Sequence, residues 1–307
     1  MSDSTMKTVR PGNTPSGKTW LERFEKIDRR WIFLLVGLGT LIPILFPIGF
    51  PVSVTPPVKS IYEKIETLGP GDVVLFSYDY GPTTAAENAP MIDAVLRHCL
   101  QRRIKVIALA LYPLGGFTET ARSLSVVMAE YPDRVYGVDY VNLGYKDGAQ
   151  AAMRQMAEDM HAVFPTDSRG TALSEIPLMQ QVRSLRDVDL VVTVATGIIG
   201  EWWANLINAQ FGIPIALGCT AVSAPKYYAY LDAGQIIGLM GGLKGASEYE
   251  RLLIDGYPLA ATIYEDPLLQ SAMKGMDVQT VDHVIIIGFI LLGNVAFFMS
   301  RRRAPRR

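Results

Sequence analysis

The sequence predicts an α/β domain, a doubly wound and mostly parallel sheet of about six strands, flanked by one N-terminal and one C-terminal transmembrane helix. Three observations carry this expectation. Two uncharged apolar stretches lie near the two ends of the 307-residue chain. Between them, short runs that are apolar on both faces alternate with amphipathic stretches, as strands covered by helices on both sides require. Each such run stops at or beside glycine, the residue that tight strand-to-helix turns use.

The first apolar stretch, 31–54, reads WIFLLVGLGTLIPILFPIGFPVSV and holds 24 residues without a charge. A spanning helix needs about 20 such residues to cross roughly 30 Å of hydrocarbon. Pro43 and Pro47 are tolerable there because neighbouring turns and a partner helix can satisfy the freed backbone. The stretch is too long for a cleavable signal and lacks a small-residue cleavage site. The second, 281–300, centres on VIIIGFILLGNVAFFM (284–299), with Asp282, His283 and Ser300 expected at headgroup level. Gly288 and Gly293 would let another helix approach, and Asn294 could hydrogen-bond across that contact.

Charge sets the expected orientation. Lys and Arg against Asp and Glu number 7 against 4 in residues 1–54, 17 against 25 in 55–280, and 5 against 1 in 281–307. The segments therefore carry +3, −8 and +4. Lys18, Arg23, Lys26, Arg29 and Arg30 precede the first span, and Arg301, Arg302, Arg303, Arg306 and Arg307 follow the second. Positive charge stays cytoplasmic. Basic tails at 1–30 and 301–307 are thus expected in the cytosol, with the domain at 55–280 outside it, in a double-pass plasma or inner membrane protein. With 49 % hydrophobic and 19 % charged residues, the chain is neither disordered nor a nucleic-acid coat. Two cysteines and three histidines are too few for a thiolate zinc site or a disulfide framework.

Within the domain the expected strands are 72–79, 105–112, 135–143, 189–196, 214–222 and 235–240. Pro90 is expected in the first turn of a helix whose buried stripe is Ile92, Val95, Leu96, Cys99 and Leu100, leaving His98 on the exposed edge. Asp147 and Gln150 have the spacing of a capping box. A helix from about Gly200 to Phe211 should stop at Gly212, ahead of Pro214. The interval 165–187 is long for a connection, and reads either as a lid or partner surface or as a short helix near 178–185 covering the sheet edge.

Ligands of open parallel sheets bind at the carboxyl ends of the strands. Asp79 ends the first apolar run and is the candidate catalytic carboxylate, with Asp139, Asp167 and Glu201 as weaker versions. The glycine loops supply the candidate ligand-binding residues Tyr80, Gly81, Thr83, Gly115, Gly116, Asn142, Gly144, Thr196, Gly197, Thr220, Gly241, Gly242 and Lys244. The stretch from Gly241 to Lys244 would offer free amides and a cation to an anion, although it is neither a P-loop nor a dinucleotide fingerprint. Cys219 sits at a strand end without the second glycine of a nucleophile elbow, and His98 and His161 make poor triad partners for it. Tyr78, Tyr80, Tyr112, Tyr145, Tyr227, Tyr228 and Tyr230 could stack a ring but equally suit a half-wet rim.

The strand and glycine-loop layout resembles Rossmann-type and periplasmic-binding-type domains, which implies an architecture and no activity. Three functions fit: a membrane-anchored module binding a small polar or anionic ligand or a protein partner, an enzyme acting on a phosphorylated or lipid-linked substrate, or a non-catalytic assembly subunit. The expected partners are the lipid bilayer and a membrane protein or second copy meeting the spans. The residues name no cofactor.

Overall fold

The computed structural model describes residues 28–266, 269 and 271–303. Lys18, Arg23, Lys26, Arg306 and Arg307, and with them most of both predicted basic tails, lie outside the described residues. The chain divides into two compact units, one of Phe46–Asp277 and one formed by the described parts of Met1–Leu45 and Val278–Arg307.

The larger unit is a six-stranded, wholly parallel sheet in the order β3-β2-β1-β4-β5-β6. Its strands are β1 (Val73–Asp79), β2 (Lys105–Ala110), β3 (Tyr140–Tyr145), β4 (Leu190–Ala195), β5 (Ile215–Cys219) and β6 (Gly238–Gly241). Strand pleating sends Val73 and Leu75 into one core, and Val74, Phe76 and Tyr78 into a second core on the opposite face. The doubly apolar runs of the sequence exist because both faces are covered. The smaller unit contributes α1 (Arg29–Leu45); α2 (Pro56–Glu66) then opens the sheet domain. One face carries α2, α3 (Ala85–Gln101) and α4 (Gly116–Met128). The other carries α5 (Ala149–Glu158), the short α6 (Met160–Val163) and α7 (Pro177–Gln181), the helical stretch α8 over 199–211, and α9 (Ala224–Asp232). After β6, α10 (Gly242–Gly256) and α11 (Pro258–Ile263) return to the α3 face. The last helix, α12, is Ser271–Arg303.

Several expectations need correcting. β3 begins at Tyr140, not Val135, because Gly137 takes a left-handed φ of 80° and Val135–Asp139 closes as a turn on the Asp139 carboxylate. α3 starts at Ala85, so Pro90 lies a turn further in than expected. The Asp147–Gln150 capping box does not form. Gly148, at φ 75°, caps α5, and Asp147 accepts from the Tyr145 hydroxyl instead. The helix ending at Gly212 is present, but its middle, Trp203–Asn208, is π-helical. The 165–187 interval covers the core through Leu173, Ile176, Leu178, Met179, Val182 and Leu185.

His98 is the largest correction. It is fully buried, stacked on Tyr62, with Nδ1 2.8 Å from the Tyr249 hydroxyl and Nε2 2.9 Å from Glu66. The carboxylate can only accept, so Nε2 carries the proton and Nδ1 accepts from Tyr249. Burial pushes the imidazole down to about 4, Glu66 only partly offsetting it. The native state therefore refuses a proton that the unfolded chain takes near pH 6.5. Stability should be intact above that pH and fall as pH drops from about 6.5 to 4. His98→Asn should flatten this acid limb in a pH series of unfolding midpoints.

Both connections to the apolar helices are fastened inside the sheet domain. The Ala272 and Met273 amides donate to Glu250 of α10 at 3.2 and 3.0 Å. Three residues on, a Cβ at Gly275 would lie 3.0 Å from Leu243. The first turns of α12 thus run antiparallel to α10 and reach the carboxyl end of the sheet, where α10 begins. There the buried Asp277 carboxylate accepts from the amides of Ile48, Gly49 and Phe50 at 2.8, 2.8 and 3.1 Å.

The smaller unit corrects the first predicted span. A continuous helix over 31–54 is not formed. α1 stops at Leu45 after 17 residues, about 25 Å of rise. Pro47 and Pro51 disfavour helical backbone in the residues before them. In α12, by contrast, Ala272–Met299 is long and apolar enough to cross a membrane, and only 6 % of its apolar window is buried. Within this unit Gly39 packs against Ile285 and Asp282, and Thr40 Oγ1 donates to Asp282 Oδ2 at 2.9 Å. Gly288 and Gly293, expected to admit another helix, face open space.

Candidate functional site

The strand order reverses between β1 and β4, so the loops after these two strands diverge and leave the usual ligand crevice of a parallel sheet. Asp79 lies at that point and is sealed there. Its Oδ1 accepts from the Leu111 amide at 3.0 Å, and its Oδ2 from Thr193 Oγ1 at 3.0 Å and Trp203 Nε1 at 2.9 Å. The side chain is fully buried, and burial raises its pKa in spite of these donors. It ties β1 to the end of β2, to β4 and to the π-helical stretch. Above it the two loops are latched together. Thr84 and Thr196 exchange a 3.0 Å hydroxyl bond, and Asn88 Nδ2 reaches both hydroxyls.

The glycines serve close packing between loops. A Cβ at Gly81 would fall on the Leu114 carbonyl oxygen. One at Gly115 would lie 2.5 Å from Pro82, and one at Gly116 2.7 Å from the Tyr78 carbonyl oxygen. Gly241 is pressed on Ala224, and Gly242 on Ala221 with φ 61°. Gly144, at φ 85°, makes the bulge of β3, where its amide donates to Asn142 Oδ1 at 2.9 Å. Of the remaining candidates, Thr83 and Gly197 are exposed, and Lys226 Nζ donates to the Gly197 carbonyl and to Glu201 at 2.8 Å each. Thr220 donates to Ser223 at 3.1 Å. Lys244 is paired with Glu248 one turn along α10, and that buried carboxylate also accepts from Thr55. The structure does not bring Asp79, Asn142, Gly197 and Lys244 around a common ligand position.

The weaker carboxylates are occupied too. Asp167 accepts from the amides of Arg169 and Thr171 and from the Tyr136 hydroxyl. Cys99 and Cys219 are free thiols, both buried, and burial raises both, Cys219 to about 12. Neither is a thiolate at neutral pH. His161 bonds the carbonyls of Met179 and Val182. Among the described residues, no group of three His, Cys, Asp or Glu side chains could hold a metal ion.

One polar constellation escaped the sequence analysis. Between α3 and α4, Arg122 donates through Nη1 and Nη2 to Asp93 at 3.0 Å each and through Nε to Glu119 at 3.1 Å. Ser123 donates to Asp93 at 2.5 Å and lies 3.0 Å from the Tyr78 hydroxyl. Nearby the buried Arg97 grips Glu130 with two bonds of 2.7 and 2.6 Å. Of these groups Asp93, Arg97, Glu119 and Arg122 line a cleft of about 440 Å³ together with Ala85, Ala86, Ala89 and Pro90. The signal in the sequence was slight: Asp93 and Arg97 interrupt the apolar side of α3 four residues apart, and Glu119, Arg122 and Ser123 recur at one-turn spacing on the next helix.

Comparison with protein-family models, with curated proteins and with solved structures found no match.

Proposed function

We propose that the chain is a double-pass integral membrane protein that holds a Rossmann-like module outside the cytoplasm, with both termini in the cytosol, and that the module works by binding a protein partner within a membrane complex, without catalysis at its strand ends. The observation that carries this reading is the closure of the β1, β2 and β4 loops on one another. Asp79 spends its acceptors on protein donors, and Gly81, Gly115 and Gly116 are used up in loop contact. A crevice that handles substrate needs the opposite, with unpaired donors and room for the reacting group. The apolar window of α12, only 6 % of it buried, supports the anchoring half, and α1 supports a second crossing with its exposed large side chains from Trp31 to Leu45.

The cleft between α3 and α4 favours a second reading, the binding of a small polar ligand. Its lining carries two cations, Arg97 and Arg122, and two carboxylates, Asp93 and Glu119, all of them paired, which suits a small polar ligand without net charge better than an ion.

Thermal-shift measurements on the detergent-solubilised full chain separate the two. Sugars, amino acids, nucleotides and phosphates should leave the unfolding midpoint unmoved. A ligand at a hundred times its Kd would add about 2.7 kcal/mol, a shift of several degrees, and such a result would overturn the partner-binding reading in favour of the cleft. For topology, a reporter fused after Arg307 should be active only in the cytoplasm; activity outside would refute the orientation.

A further inference from the structure

The carboxyl end of the sheet carries an apolar rim that the sealed crevice does not explain. Leu114 follows β2 and Phe117 opens α4; they are 71 % and 52 % exposed. Ile198 follows β4 at 52 %, and Val222 follows β5 at 91 %. Pro82 and Thr83, exposed on the β1 loop, lie between them in strand order. Four adjacent strands at about 4.8 Å spacing put these tips on a line of roughly 15 Å. Scattered apolar side chains on a surface are ordinary, but a row contributed by separate loops at one end marks a contact face.

The chain itself argues for what covers that face. The first turns of α12 run toward the carboxyl end of the sheet, and Asp277 fastens the entering segment Ile48–Phe50 there. Both connections to apolar helix thus leave the sheet domain from the end that bears the rim. The net charge of −8 between residues 55 and 280 gives no electrostatic attraction to anionic headgroups, so contact has to be apolar.

We infer that Leu114, Phe117, Ile198 and Val222 insert into the interfacial layer of the membrane that carries the chain, fixing the sheet domain against the lipid by its strand-end loops. The inference rests on the anchoring proposed above. It also gives the closed crevice a purpose: loops that bear on a lipid surface need stiffness more than they need a vacant pocket.

The test uses the purified full chain in phosphatidylcholine vesicles, with an environment-sensitive fluorophore on Val222→Cys, on Leu114→Cys or, for comparison, on Asp133→Cys in the turn ahead of β3 at the opposite end of the sheet. The native Cys99 and Cys219 are buried and will not label. Labels at 222 and 114 should emit at shorter wavelength and lose most of their emission to nitroxide lipids whose probe sits about 5–10 Å below the headgroups; the label at 133 should do neither. If the protein resists alkaline extraction from the vesicles yet all three labels behave alike, insertion is refuted while anchoring stands. If alkali releases the protein, anchoring fails and insertion with it. Shortened wavelength at 222 without nitroxide quenching would refute lipid contact and assign the rim to a second copy of the chain.

Discussion

Replacing Asp79 by asparagine should lower the unfolding midpoint of the protein by roughly 2–12 °C. Asp79 accepts from two groups that can only donate, the Leu111 amide and the Trp203 indole, and from the Thr193 hydroxyl. An asparagine has one acceptor oxygen. With that oxygen on Leu111, its amide nitrogen faces the indole N–H; with the side chain turned over, it faces the Leu111 N–H. Thr193 can rotate its hydroxyl to accept, but one buried N–H is stranded in either pose. A stranded buried donor costs about 1–3 kcal/mol, and facing donors repel besides. At about 2–4 °C per kcal/mol for a domain of this size, the stated range follows. Asp79→Ala should be at least as severe. The measurement is thermal unfolding of the solubilised protein followed by circular dichroism. A midpoint within about 1 °C of the parent would mean the three donors are not engaged, and would return Asp79 to the ranks of functional carboxylates.

Asp277→Ala should loosen the chain where it enters the sheet domain, by a comparable free energy but more locally. One buried carboxylate binds three successive amides, at Ile48, Gly49 and Phe50. Bonds to a charged acceptor contribute about 1.5–3 kcal/mol each and do not add fully. A loss of about 3 kcal/mol raises the open population roughly a hundredfold. Elastase cleavage after Ile48 or Val52, neither of which precedes a proline, follows that population when opening is fast, so its rate should rise by about the same factor. Asp277→Asn, which keeps one acceptor, should fall between. Parent-like cleavage in the alanine variant would show that the segment is held by something other than this carboxylate.

Much of the fold was legible in the residues because a parallel sheet covered on both faces writes itself as doubly apolar runs. Five of the six strands lie within the predicted stretches or pass them by a single residue. The exception, β3, was displaced by Val135, which is apolar but 56 % exposed in a turn that only Gly137 betrays. At Gly81, Gly115 and Gly116 the space beside the glycine is taken by a neighbouring loop, and a sequence cannot say whether a glycine admits a ligand or such a loop. His98 was misplaced because its cover comes from Tyr62 on α2, Tyr249 on α10 and Tyr257 at the junction of α10 and α11, all remote in the chain. The Asp93–Arg122 group was invisible for the same reason, since its meaning depends on two helices lying side by side. The end of α1 at Leu45 lay within reach of the sequence, because Pro47 and Pro51 were in plain view and hydropathy outweighed them.

The bond between Thr40 and Asp282 joins residues 242 positions apart. At 5–20 residues per second, synthesis of the intervening chain takes roughly 10–50 s. For that interval the Thr40 hydroxyl keeps the Val36 carbonyl of its own helix, at 3.1 Å, as an acceptor. Docking of α1 on α12 through this bond is therefore a late event of synthesis, open only once Asp282 has been made.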